Sequence, residues 1–311
     1  MHLATVADLL DLQRGVVSRR QLHERGFAKH DLDRLVRRRE LTRVHPGVFV
    51  DHTGDLTTLQ RQWAAILYAA PAALHLGSAL DLPTPGGLVH VAIDERRTVR
   101  AQPGMRVHRV ADLDRIVHWQ ASPPRVRVEE AALEIAHRAR SELDVVAVLA
   151  DVVNRRLTTA DRLKVALERR LRMARRRFVE RLLDDLGSGV CSVLEHAFLV
   201  RVERAHGLPA SDRQVVRTGR GGREYRDAGY PAYRTVVELD GWLGHSSWAA
   251  GARDAERDLA DVAAGWTVVR LRWQQVLDRP CETAGKLGRA LAARGWPGAP
   301  RPCGAGCRLS A

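Results

Sequence analysis

Tyr225–Gly241 reads YRDAGYPAYRTVVELDG, and the pairing of its two halves decides the C-terminal fold. Alternating apolar and polar residues flank Pro231-Ala232-Tyr233-Arg234, which predicts a β-hairpin closed by a four-residue loop. If Tyr230 faces Thr235, then Asp227 lies directly across from Glu238, and Tyr225 across from Asp240. Opposed residues in an antiparallel pair have Cβ atoms roughly 5 Å apart, and like charges there are destabilising. Glu238 and Asp240, two apart on one strand, share that face, while Val237 and Leu239 point the other way and supply core. Asp227, Glu238 and Asp240 therefore converge. A hard divalent cation, Mg²⁺ or Mn²⁺, offsets such repulsion by taking oxygen ligands. The plainer reading is a strand with one polar face, ended by the Asp240-Gly241 turn.

The flanks extend this hairpin into a domain. Ala250–Ala264 is expected to be helical, with Ala255, Leu259, Val262 and Ala263 on one face, and Gly265 can end that helix in a left-handed conformation. Trp266–Trp273, WTVVRLRW, reads as a strand. Strand, helix, strand implies a right-handed crossover, with the last strand parallel to the acidic one. Upstream, CSVLEHAFLVRVERAHGLP opens with Ser192 and Glu195 at capping-box spacing, which would make Glu195 structural.

At the other end of the chain, Leu3, Val6, Leu9 and Leu10 form a helical stripe before a turn at Gly15. Ser18 can cap a second helix that Gly26 ends. Phe27–Glu40 is a third helix, with Leu32, Leu35 and Val36 on one face and Lys29, Arg34, Arg37, Arg38 and Arg39 on the other. LTRVHPGVFVD then gives two short strands around Pro46-Gly47. Three short helices and a hairpin follow the winged helix-turn-helix plan, in which the third helix enters the major groove and the wing touches backbone. The plainer reading is a helical cap with solvated arginines.

Between these ends, residues 55–160 mix helices (RQWAAILYAA, VEEAALEIAHRA, LDVVAVLADVV) with strands (LVHVAIDE, MRVHRVA), and LDLPTPGG is a loop. His75, His90, His108 and His118 lie on different elements without metal-ligand spacing, and are expected to be structural or exposed. Arg155–Asp185 holds eleven Lys/Arg against five acids. Leu167, Leu171, Ala174, Phe178 and Leu182 make one apolar stripe there, so this is an amphipathic helix or helix pair with a basic outer face.

Fifty Lys/Arg against thirty-seven Asp/Glu give the 311-residue chain a net charge of +13 and point to a polyanionic partner, nucleic acid before membrane. Four scattered cysteines argue against a disulfide framework and for a reduced cytosol. Cys303-Gly-Ala-Gly-Cys307 lies in a Pro/Gly-rich stretch and lacks a second ligand pair for zinc, so residues 298–311 are expected to be a disordered tail. No basic region precedes an apolar run at the start, and no apolar stretch approaches about 18 residues; the expectation is a cytoplasmic protein.

Two resemblances rest on these segments. GVVSRRQLHERGFAKHDLDRLVRRRELTRVHPGVFV, through its R-R-x-L-x-x-x-G and R-V-H-P-G-V-F segments, resembles the winged-helix domain of AbiEi-type antitoxins of type IV toxin–antitoxin systems, over roughly residues 5–50. That resemblance implies DNA binding at the system's own promoter, with Lys29, His30, Arg34, Arg37 and Arg38 as contacts. It also implies a cognate toxin as partner and is compatible with a homodimer. The second covers about residues 190–280 and rests on Ser192–Glu195, Gly207–Pro209, Gln214, Asp227, Glu238–Gly241, His245, Arg253–Asp258 and Gly265–Arg270. Together these resemble the restriction-endonuclease-like PD-(D/E)xK fold, closest to the branch related to the very-short-patch-repair (Vsr) mismatch endonuclease.

The second resemblance implies Mg²⁺ held by Asp227 and Glu238, with Asp240 and Glu195 as further ligands. In that branch an aspartate, here Asp240, replaces the motif lysine, which leaves His245 as the base, with Asp254 to position it. Arg257 or Arg270 would stabilise developing charge. Ala228-Gly229 departs from the aromatic that often follows the first aspartate. The expected class is α+β multidomain: a winged helix-turn-helix (1–54), a mixed α/β middle domain (55–160), a basic helical linker (161–188), a restriction-endonuclease-like α/β domain (189–297) and the tail. The expected function is a DNA-binding protein with a Mg²⁺-dependent endonuclease-like domain. Its alternative is a non-enzymatic regulator of the antitoxin kind with a degenerate nuclease fold.

Overall fold

The computed structural model describes residues 2–188, 192–219, 222–240, 256 and 259–309, with backbone alone at 188, 192, 213–219 and 222–226. The chain divides into two compact units, Met1–Ile135 and Ala136–Ala311, each mixing helices and sheet. Among the described residues no helix is long and apolar enough to cross a membrane.

The first unit opens with a 3-10 turn (Leu3–Val6) running into α1 (Ala7–Leu12), followed by β1 (Val16–Ser18), α2 (Arg19–Glu24), α3 (Lys29–Arg37), β2 (Thr42–His45) and β3 (Val48–Val50). Ser18 caps α2 through a reciprocal box: its Oγ accepts from Gln21 N at 3.2 Å, and Gln21 Oε1 accepts from Ser18 N at 3.0 Å. The strands pair antiparallel in the order β1-β3-β2. Val6, Val17, Leu22, Phe27, Leu32, Leu35, Leu41 and Phe49 form one buried core between helices and sheet. The hairpin and the three helices match the sequence expectation. β1 does not appear in it, because three residues are too few to show a period of two.

The opposite face of this small sheet is closed by α4 (Thr58–Ala69), where Trp63 and Ala64 pack against Val16, Val48 and Val50. A mixed sheet follows, built from β4 (Ala73–Leu74), β5 (Val89–Asp94), β6 (Met105–Val110), β7 (Val117–His118) and β8 (Arg125–Val126) in the order β6-β5-β4-β8-β7. A short helix, α5 (Leu113–Ile116), joins β6 to β7. The division between units falls within α6 (Val128–Arg138).

In the second unit, α7 (Glu142–Asn154), α8 (Ala160–Glu168) and α9 (Arg176–Ser188) precede α10 (Ser192–Ala197), which continues as a π-helical segment, Phe198–Arg204. The basic segment is thus two helices, and its apolar stripe is interrupted: Leu167, Phe178 and Leu182 are buried, but Leu171 in the connection is fully exposed. A 3.6-residue period cannot run through residues that are not helical. Lys164 and Arg176 are also tied into the fold. The Asp184 carboxylate, 2.9 Å from Lys164 Nζ, holds that amine above its ordinary pKa, and Arg176 donates to the carbonyls of Leu167 and Arg170 at the end of α8.

The C-terminal sheet has β9 (Asp212–Gly219), β10 (Gly222–Tyr230), β11 (Thr235–Leu239) and β12 (Thr267–Leu271) in the order β12-β11-β10-β9. β11 and β12 are parallel, as the strand–helix–strand reading requires, and Gly265 has φ 80° where the left-handed helix end was expected. The crossover helix differs from expectation: Leu259 and Val262 are exposed and Asp261 is buried. A second π-helical segment, Gln274–Asp278, leads to α11 (Pro280–Ala292). Beyond it, Pro300 packs on α11 and Arg301 N donates to His206 O at 2.9 Å, so residues 298–309 fold back where composition suggested a disordered tail.

Candidate functional site

The residues expected to act lie on two surfaces, one in each unit. On α3, successive residues turn by about 100°, which places His30, Arg34, Arg37 and Arg38 along one side, with Lys29 and Asp33 at its edge. Leu32 and Leu35 fill the opposite side and are buried. Lys29, His30, Arg37 and Arg38 are exposed and Arg34 is half-buried. Arg34 is held by Asp31 at 3.2 Å, and the same carboxylate accepts from Ala28 N at 3.1 Å at the start of α3. Two cations nearby are paired: Arg20 on α2 with Glu24 at 3.0 Å, and Arg25 just beyond α2, whose guanidinium, hydrogen-bonded to Asp8 at 2.6 Å, holds that carboxyl below its ordinary pKa. Among the described residues no carboxylate pairs with Lys29 or Arg37. Exposed Arg43 on β2 adds a cation on the wing. His45, on the same strand, sits with its ring 5.5 Å from that of Tyr68, and burial lowers its pKa from the usual 6.5.

The carboxylates of the second unit are positioned by strand register. β10 and β11 pair as Tyr230↔Thr235, Gly229↔Val236 and Ala228↔Val237, the register expected from the turn. The ladder pairing ends at Ala228↔Val237, and Asp227 meets β11 through its side chain instead. There its Oδ2 accepts the backbone N–H of Leu239 at 2.6 Å, so the carboxylate stands in for a ladder partner. In the parallel pair Glu238 is level with Arg270, and Asp240 lies 3.5 Å from the Arg272 guanidinium. Each acid thus has an N–H or a cation beside it, which offsets part of their mutual repulsion within the protein itself. Val237 and Leu239 are buried and Glu238 and Asp240 half-buried, the alternation read from the sequence. Glu195 is half-buried on α10, whose Val193 N is capped by the buried Asp185 carboxylate at 2.7 Å. His245, Asp254 and Arg257 lie outside the described residues.

Two features were not legible in the sequence. Glu203 is 3 % exposed and accepts from Tyr230 Oη at 2.9 Å and from Ser211 N at 3.2 Å, tying the π-helical segment to the hairpin. Its signal was a glutamate one residue after core Val202. His75, His90 and His108 come together although they stand on separate elements: His90 Nδ1 is 2.9 Å from His108 Nε2, and the His75 and His108 rings are 5.2 Å apart. A 2.9 Å contact between ring nitrogens is a hydrogen bond with one donor and one acceptor, which supports the structural role expected for them.

Helix, strand, two helices and a two-stranded wing, with a cationic face on the last helix, follow the winged helix-turn-helix plan. Residues 5–50 match the model of a family described as "Transcriptional regulator, AbiEi antitoxin". No curated protein matches the chain.

Proposed function

We propose that this protein binds duplex DNA through its N-terminal winged helix-turn-helix and acts as a transcriptional regulator of the antitoxin kind. The observation that carries this reading is the exposed cationic side of α3, separated from the buried Leu32–Leu35 side and accompanied by Arg43 on the wing. α3 would enter the major groove and Arg43 would meet backbone phosphate. A cognate toxin and a second copy of the chain are the protein partners this reading expects.

A second reading, hydrolysis of DNA phosphodiester bonds, is favoured by Asp227 reaching β11 next to Glu238, where its Oδ2 accepts from Leu239 N at 2.6 Å. Asp227 and Glu238 would hold Mg²⁺ or Mn²⁺, with Asp240 and Glu195 beside them. A bound divalent ion polarises phosphate and acidifies water. Arg270, level with Glu238, would face the phosphate charge, and His245 would accept the proton of the attacking water.

Labelled duplex from the region upstream of the protein's own gene, and a scrambled control, separate the two. With EDTA, a selective shift by wild type is expected, and equal binding to both duplexes would overturn the regulator reading. With Mg²⁺ or Mn²⁺, cleavage by wild type but not by Asp227→Asn, which keeps an acceptor for Leu239 N, supports hydrolysis. If both leave single-stranded, mismatched and duplex DNA intact, the enzyme reading is wrong.

A further inference from the structure

The missing ligand pair for Cys303-Gly-Ala-Gly-Cys307 comes from distant parts of the chain. His206 follows the π-helical segment Phe198–Arg204, Cys281 lies in the first turn of α11, and the C-terminal stretch crosses α11 on its way to them. That crossing needs glycine on the helix: a Cβ at Gly288 would lie 2.1 Å from Pro300 Cγ, and one at Gly285 would lie 2.4 Å from Leu309 O. Arg301 N fixes the stretch further by donating to His206 O at 2.9 Å. As a result one imidazole and three sulfurs have their ligand atoms within 4.8 Å of one another.

We propose that His206, Cys281, Cys303 and Cys307 form a structural zinc site that pins the C-terminal stretch to the second unit. Tetrahedral zinc with bonds of about 2.3 Å to sulfur and about 2.0–2.1 Å to nitrogen has edges of about 3.8 Å between sulfurs and about 3.5 Å between sulfur and nitrogen. Cys281 Sγ and Cys303 Sγ are 3.7 Å apart, and Cys307 Sγ is 3.6 Å from His206 Nε2. Both distances match edges of that tetrahedron, and the first is far beyond the about 2.05 Å of a disulfide.

The imidazole is prepared for the role. His206 is fully buried, and its Nδ1 is 3.1 Å from Val202 O, a partner that can only accept. The proton therefore sits on Nδ1, and the lone pair of Nε2 points to the sulfurs, the arrangement of a metal-ligating histidine with its outer-shell carbonyl. Crowded sulfurs resist ionising together, and a divalent cation removes that resistance as the thiol protons pass to solvent. Four protein ligands leave no open position, which makes the site structural and distinct from the carboxylates of the sheet.

The test uses the full chain, purified without chelator under reducing conditions. Elemental analysis should find one zinc per chain, and Cys303→Ser or His206→Asn should lose it, whereas replacing the remaining cysteine, Cys191→Ser, should not. X-ray absorption at the zinc edge of wild type should give three sulfurs and one nitrogen. Co²⁺ exchanged into wild type should show the visible bands of a tetrahedral thiolate site, a readout that needs no variant to fold. Zinc-free wild type that also gives no tetrahedral Co²⁺ spectrum overturns the proposal. So does an oxygen-rich first shell, metal content unchanged in Cys303→Ser, or a Cys281–Cys303 disulfide in the reduced preparation.

Discussion

Replacing Arg37 and Arg38 together by alanine tests whether α3 faces phosphate. Both side chains are exposed, and the contact of Arg38 with Glu40, 3.9 Å at the surface, is of a kind worth little to stability. The double variant should therefore melt with wild type. Each cation that neutralises a phosphate contributes about 0.9 to the slope of log affinity against log salt, so losing two lowers that slope by about 1.8. Between 50 and 200 mM salt, about 0.6 of a decade, the deficit of the variant should shrink about tenfold. Titrating a labelled duplex at four or five salt concentrations, with melting curves alongside, measures both quantities. Lines of equal slope would refute the reasoning and return these arginines to solvated surface. Arg34 is unsuitable for this test, because it pairs with buried Asp31 and its removal would mix folding with binding.

Acid should weaken the fold through His45. Its folded pKa lies below the ordinary 6.5, so just under that value the unfolded chain binds the proton more readily and stability falls as pH is lowered. Thermal melts of wild type and His45→Gln from about pH 7.5 to about pH 5 should show a shallower decline in the variant, and parallel declines would contradict this assignment. In the second unit, Glu203→Ala strips the acceptor from Tyr230 Oη and Ser211 N and should cost about 2–4 kcal/mol, while Glu203→Gln, which keeps a carbonyl oxygen, should cost less than half as much. Urea titrations followed by circular dichroism decide it; equal losses would mean that the hydrogen bonds are not what Glu203 contributes.

Local chemistry explains what could be read from the chain alone. Pro231 and the left-handed Arg234 fix a short loop, and a short loop fixes the register from Tyr230↔Thr235 to Ala228↔Val237. The sides of α3 were legible because nine residues complete more than two turns, enough to separate Leu32 and Leu35 from the cations. Leu171 misled because periodicity says nothing about where a helix stops, and here the break is stabilised by Arg176 binding the carbonyls of Leu167 and Arg170. The zinc ligands were hidden for another reason. His206 and Cys307 are 101 positions apart, and no local pattern reports a crossing made possible by close contact at Gly285 and Gly288.

The packing of Trp63 and Ala64 on Val16, Val48 and Val50 also bears on how such proteins diversify. The winged segment is complete as a helix-turn-helix at Val50, yet β1 and β3 are buried on both faces and the segment has a cover of its own on only one. A recombination joint placed directly after the wing would hand the new host a sticky surface. Such a segment can move between proteins only if it travels with its buttress, or lands beside another helix able to serve as one.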